Sequence, residues 1–136
     1  LEVACLNGRP GVLSARFAGE SASDDENVAK LLSEMAGQQD RTALFVCCLC
    51  LIMPGMDGSS EGTRLVEVEG VLEGRIAGEP RGSDGFGYDP VFLPAGWTST
   101  LAEVGPFAKD EISHRGAASR NLLQRMRELG ALGEQG

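Results

Sequence analysis

The chain has 136 residues, of which 42% are hydrophobic, and a formal net charge of −8. This length suits one compact domain rather than two, and the apolar content supports a packed core rather than disorder. The negative charge argues against nonspecific binding to nucleic acid or an anionic membrane, although a few placed Lys and Arg side chains can still hold a small anionic substrate.

The chain opens in a strand-like run, Leu1-Glu-Val-Ala-Cys-Leu6. A start in mid-strand is what a sequence cut from a longer one would show. Gly8, Pro10 and Gly11 then read as a turn. Ser23-Asp24-Asp25-Glu26 has the form of a capping box, and Val28, Leu31, Leu32 and Met35 follow at helical spacing until Gly37. A helix is predicted over Asp24–Ala36, its acidic first turn facing the positive end of the helix dipole. Ala43–Met53 is the longest apolar run. It is too short for a membrane-spanning helix, which needs about 20 residues. Ala43–Ile52 is therefore predicted to be a strand buried on both faces. Pro54, Gly55, Asp57 and Gly58 open a polar loop. Leu65–Leu72 alternates Val66 and Val68 with Glu67 and Glu69, which predicts a strand with one wet face, continuing toward Ala77 after a bend at Gly70 or Gly74. Val91–Leu93 is a short apolar stretch between Pro90 and Pro94. A last helix carries a stripe of Ala118, Leu122, Met126 and Leu129, stops at Gly130 and leaves a fraying tail from Ala131. The predicted class is α/β, bordering on α+β, with a mixed twisted sheet flanked by helices.

Three of the four cysteines, Cys47, Cys48 and Cys50, lie in one strand-like run with Cys5 elsewhere. Alternation puts Cys48 and Cys50 on one face and Cys47 on the other, so the three cannot converge on one metal. They read as small buried hydrophobes, with no disulfide framework, and suit a reducing cytoplasm. No charged-then-apolar leader is apparent.

Three segments exceed what folding needs. In Arg81-Gly-Ser-Asp-Gly-Phe-Gly-Tyr-Asp-Pro90, glycines let backbone approach a ligand, Phe86 and Tyr88 offer faces for stacking on a base, and Asp89 can accept from a ring N–H. The alternative is a glycine-rich turn with aromatic core plugs. Lys109 precedes Ser113-His114-Arg115-Gly116, which holds the single His of the chain. An Arg can donate two hydrogen bonds to a purine keto oxygen and N7, and a Lys suits a phosphate or carboxylate. The alternative is a helix start capped by Ser113. The third segment, Asn7 to Arg16, ends in an Arg that reads as a buried structural ion partner or, less simply, an active-site cation.

Together the three segments, in this order and spacing, resemble the bacterial inosine triphosphate pyrophosphatase family over nearly the whole chain. The resemblance implies hydrolysis of ITP, dITP and XTP to the monophosphate and pyrophosphate with Mg²⁺, by cytoplasmic homodimers with an elongated mixed sheet and a cleft between two lobes. It implies that Phe86 stacks on the purine, that Gly87, Tyr88 and Asp89 shape the base pocket, and that Lys109, His114 and Arg115 complete it, Arg115 donating to the 6-keto oxygen. Fixed donors there leave the adenine amino group facing another donor, at a cost of roughly 1–3 kcal/mol, or about tenfold to a hundredfold in affinity. Full-length members also carry a Thr/Ser-x-Asn-x-x-Lys phosphate loop, a metal-binding Glu and a catalytic Asp. By this resemblance these precede Leu1. Residues 1–136 would then be a single incomplete domain missing its N-terminal strand–helix segment, holding neither the catalytic nor the metal-binding side chains, and inactive alone. The competing expectation is a short protein that binds nucleotides or a partner without hydrolysis.

Overall fold

The computed structural model describes residues 1–55, 58 and 60–132. Among the described residues four strands, β1 (Glu2–Val3), β2 (Thr42–Met53), β3 (Arg64–Ile76) and β4 (Phe92–Pro94), form a sheet in the order β1-β2-β3-β4. β1 pairs antiparallel with β2, Val3 opposite Ala43, and β3 pairs antiparallel with β4, Ile76 opposite Phe92. Helices α1 (Asp24–Glu34), α2 (Pro106–Ile112) and α3 (His114–Glu128) complete the α/β architecture. The chain divides into two compact units, Leu1–Phe45 with Leu72–Ile112, and Val46–Val71 with Ser113–Gly136.

The first unit holds the main core. Val28 and Leu31 of α1, with Met35 just past its end, pack with Val3, Ala43, Phe45, Ile76, Tyr88, Val91, Phe92 and Leu101. Full burial of such side chains stabilises by roughly 1.5–3 kcal/mol each. The Phe45 and Phe92 rings lie 4.5 Å apart in a tilted arrangement, within the range aromatic pairs prefer. At the start of α1 the capping box is complete: Ser23 Oγ accepts from the Glu26 N–H, and Glu26 accepts from the Ser23 N–H. The helix stops at Glu34, with Met35 as its C-cap and Gly37 at φ 76°, two residues earlier than the periodicity predicts. Asn27, four residues on from Ser23, is buried and faces inward with the apolar stripe. It accepts from the Ala18 N–H and donates to the Ala15 carbonyl, so the segment before α1 is pinned to the helix. Arg41 donates to the carbonyls of Ile76 and Ala77, joining the start of β2 to the end of β3.

The structure departs from the sequence expectations in several places. The opening strand is only Glu2–Val3. Ala4–Leu6 turns into a 3-10 helix closed by Asn7 in the left-handed region, with the Gly8 N–H donating to the Val3 carbonyl. β2 is not buried on both faces. Only Ala43 and Phe45 are buried, and Cys48, Cys50 and Ile52 are exposed. A run of apolar residues says nothing of what covers its faces. None of the four cysteines is in a disulfide, and Cys48 donates to Glu69 at 3.5 Å. Arg16 is not buried; it lies half-exposed, 3.9 Å from Glu20. α2 is absent from the sequence reading, although Pro106 at its first position is a known start signal.

β3 is one continuous strand with its wet face at Glu67 and Glu69. The two glycines expected to bend it instead permit close approach. A Cβ on Gly74 would meet the Leu93 carbonyl and the Phe92 ring, in the first unit. A Cβ on Gly70 would meet the backbone of His114 and Ala118, in the second. In that second unit Asn121 donates to the Glu69 carbonyl at 2.7 Å. Ala118 is buried while Leu122, Met126 and Leu129 are half-buried, as the stripe predicts. Ala131 still donates to Met126. The remainder of the expected fraying tail, from residue 133, and Asp57 of the expected loop lie outside the described residues.

Candidate functional site

The glycine–aromatic loop belongs to the first unit, and its ends are tied before its tip is shaped. The Arg81 N–H donates to the Pro90 carbonyl at 2.8 Å, the Arg81 guanidinium donates to the Thr98 carbonyl, and the Thr100 hydroxyl donates to the Arg81 carbonyl. The Thr100 N–H donates to Glu103, which holds that carboxyl below the usual range, with Arg81 beside it adding to the effect.

At the tip, Gly85 and Gly87 take φ of 78° and 60°, a region that costs residues with a Cβ about 1–2 kcal/mol. These turns fold Asp89 back under Phe86. Asp89 Oδ2 accepts from the Phe86 N–H at 3.0 Å and pairs with Lys109 Nζ of α2 at 2.5 Å. The Asp89 side chain is 6% exposed and that of Lys109 17%. Lys109 Nζ also lies 4.4 Å from the centroid of the Phe86 ring, as a cation–π contact. Phe86 is 55% exposed. The arrangement thus offers an aromatic face to solvent, backed by a part-buried ion pair. Asp89, expected to accept from a ligand, already holds two internal donors.

Tyr88 turns inward. It is buried, and its hydroxyl donates to the Ser14 carbonyl at 2.7 Å. Burial, with the Asp24 charge added, pushes its phenol up to about 12. It therefore supports the loop from within rather than presenting a stacking face. Gly87 donates its N–H to Asp24 Oδ2 at 2.8 Å, a contact between residues 63 apart that no local pattern foretells.

Phe86, Gly87, Tyr88, Asp89 and Lys109 are thus brought together. His114 and Arg115 belong to the second unit, in the first turn of α3, where His114 is half-buried and Arg115 exposed. Ser113 is the N-cap there, its Oγ accepting from the Gly116 N–H at 3.0 Å, as the capping alternative predicts. Among the described residues no three His, Cys, Asp or Glu side chains are grouped so as to hold a metal ion. No helix among them is long and apolar enough to cross a membrane.

An α/β chain carrying an aromatic–glycine loop locked by a buried carboxylate paired with a lysine is the class these features define. The sequence model of the Ham1 family matches residues 1–125, and the chain belongs to that family. A Desulfotalea psychrophila protein called dITP/XTP pyrophosphatase is 48% identical over 118 residues, covering 87% of this chain and 50% of its own length. A Bacillus subtilis protein of the same name is 45% identical over 124 residues, covering 90% of this chain and 59% of its own. The solved Ham1 protein of Staphylococcus aureus is similar at a TM-score of 0.82 and 41% identity, over 93% of this chain and 62% of that one. A HAM1 protein from Coxiella burnetii gives 0.83 and 40%, over 93% and 63%. The chain spans between 50% and 59% of the length of these two curated relatives.

Proposed function

We propose that these residues form the base-recognition part of a nucleoside triphosphate pyrophosphatase that hydrolyses dITP, ITP and XTP to the monophosphate and pyrophosphate. The observation that carries the reading is the Phe86–Asp89–Lys109 cluster, together with relatives whose names specify dITP and XTP. In the proposal Phe86 stacks on the purine. Gly87 and Asp89 set the loop beneath it, and Tyr88 braces that loop. Lys109 exchanges its place over the ring for a base or phosphate oxygen, and His114 and Arg115 supply donors to the 6-keto group. A fixed donor set favours hypoxanthine and xanthine over adenine, whose amino group would leave a donor unpaired.

Mg²⁺ dependence, homodimer assembly and a cytoplasmic location enter the proposal on family resemblance. The described residues do not fit a resident cation: Asp24 and Asp89 are engaged with backbone N–H groups and Lys109, and no cluster of three ligands is present among them.

Calorimetric titration with dITP and dATP tests the base preference directly. The expected result is dITP binding about tenfold to a hundredfold tighter, corresponding to about 1–3 kcal/mol, with the preference lost in Arg115→Ala and overall affinity lost in Phe86→Ala. Equal affinity for the two nucleotides overturns the reading. Release of pyrophosphate from dITP, with and without Mg²⁺, then separates hydrolysis from binding alone.

A further inference from the structure

Helix α1 opens with three consecutive carboxylates, Asp24, Asp25 and Glu26, on one exposed turn. All three gain from the helix dipole, but their contacts differ. Glu26 closes the capping box. Asp24 reaches the glycine–aromatic loop, where its Oδ2 accepts from the Gly87 N–H at 2.8 Å. Gly87 lies between the residue that exposes its ring, Phe86, and the residue anchored inside, Tyr88. The Phe86 N–H is held by Asp89 on one side. The next N–H along the chain is held by Asp24. These two bonds fix the peptide planes on either side of the Phe86 α-carbon, and so fix the direction in which the ring leaves the backbone.

We propose that Asp24 is a positioning residue for purine binding, clamping the Gly87 peptide so that the Phe86 ring is presented in its stacking orientation before the base arrives. The inference rests on the reading of this loop as the base-recognition site. A ring already oriented loses less freedom on binding, which is the general source of affinity from preorganisation. A hydrogen bond to an ionised acceptor is stronger than a neutral one. Because Asp24 is exposed, water competes for it, and the effect on affinity is of moderate size.

The test uses the 136-residue chain with Asp24→Ala, Asp24→Asn and Asp25→Ala, read by amide hydrogen exchange and by dITP calorimetry. Asp25→Ala removes the same helix-dipole charge one residue away and serves as the control. Asp24→Ala is expected to speed exchange at Gly87 about tenfold while leaving Val28 and Leu31 unchanged, and to weaken dITP about tenfold. Asp24→Asn keeps an oxygen that accepts from Gly87, and is expected to recover most of both. If Asp24→Ala matches Asp25→Ala in exchange at Gly87 or in dITP affinity, Asp24 does not position the loop. The proposal is equally overturned if Asp24→Ala raises exchange evenly through α1, since that marks a helix-stability role. Should Asp24→Ala fail to fold, Asp24→Asn decides: the clamp requires Gly87 protection near the parent level, and complete loss of it overturns the proposal. If the parent chain binds no dITP, the base-recognition reading itself falls and the inference with it. Parent binding with Asp24→Ala unaffected sinks the inference alone.

Discussion

Gly85 and Asp89 lie so close that a Cβ built on Gly85 would fall on the Asp89 carboxylate. The carboxylate occupies that space because it must reach both the Phe86 N–H and Lys109. Gly85→Ala therefore carries two penalties, a left-handed backbone and a displaced ion pair. We expect a loss of about 3 kcal/mol, since strain of this kind costs of order 1–3 kcal/mol and the displaced pair adds to it. Gly87→Ala shares the positive φ but has open space around its Cβ, so its loss should stay near 1–2 kcal/mol. Urea unfolding of the two variants measures the difference. Equal losses would mean that Asp89 does not fill the space at Gly85.

Removing Lys109 strands a buried carboxylate. Lys109→Met should destabilise by about 3 kcal/mol, the low end of the range for breaking a buried pair, because the Phe86 N–H still solvates Asp89. Asp89→Asn together with Lys109→Met should recover part of that loss. A double-mutant cycle by urea unfolding checks the coupling. Simple additivity would place the two groups apart.

Tyr88 is the only tyrosine of the chain, so its ionisation can be followed alone by ultraviolet absorbance. The folded midpoint should lie at about 12 against the ordinary 10.0, chiefly through burial. The folded state holds the phenol proton more tightly than the unfolded chain does. This contribution to stability is complete below pH 10 and is lost as pH rises through about 12. Asp24→Asn should lower the folded midpoint, because the Asp24 charge adds to the rise. A folded midpoint at the ordinary value would contradict the buried placement of Tyr88.

What the sequence discloses here follows from how far each determinant reaches along the chain. The capping box at Ser23, the α1 stripe, the wet face at Glu67 and Glu69 and the Ser113 cap are local patterns, and the structure bears them out. The exposure of Cys48 and Cys50 is illegible in the sequence because it depends on what else packs against β2. The contraction of β1 depends on Val3 accepting from Gly8 as the chain turns back. α2 has too few apolar residues to show a period. Within the candidate site, the motif marks Phe86, Asp89 and Lys109 but hides the division of labour among them. It also hides Asp24, whose local pattern is already accounted for by a helix start.

Gly70 and Gly74 stand four residues apart on β3, each pressed against another part of the backbone, one in either unit. By residue preference this is the frailest stretch of the strand. Its tolerance to change should nevertheless be the narrowest, because a missing side chain has no smaller replacement. Variation along β3 would accordingly be confined to the intervening positions, leaving a spacing of bare residues as its most durable signature.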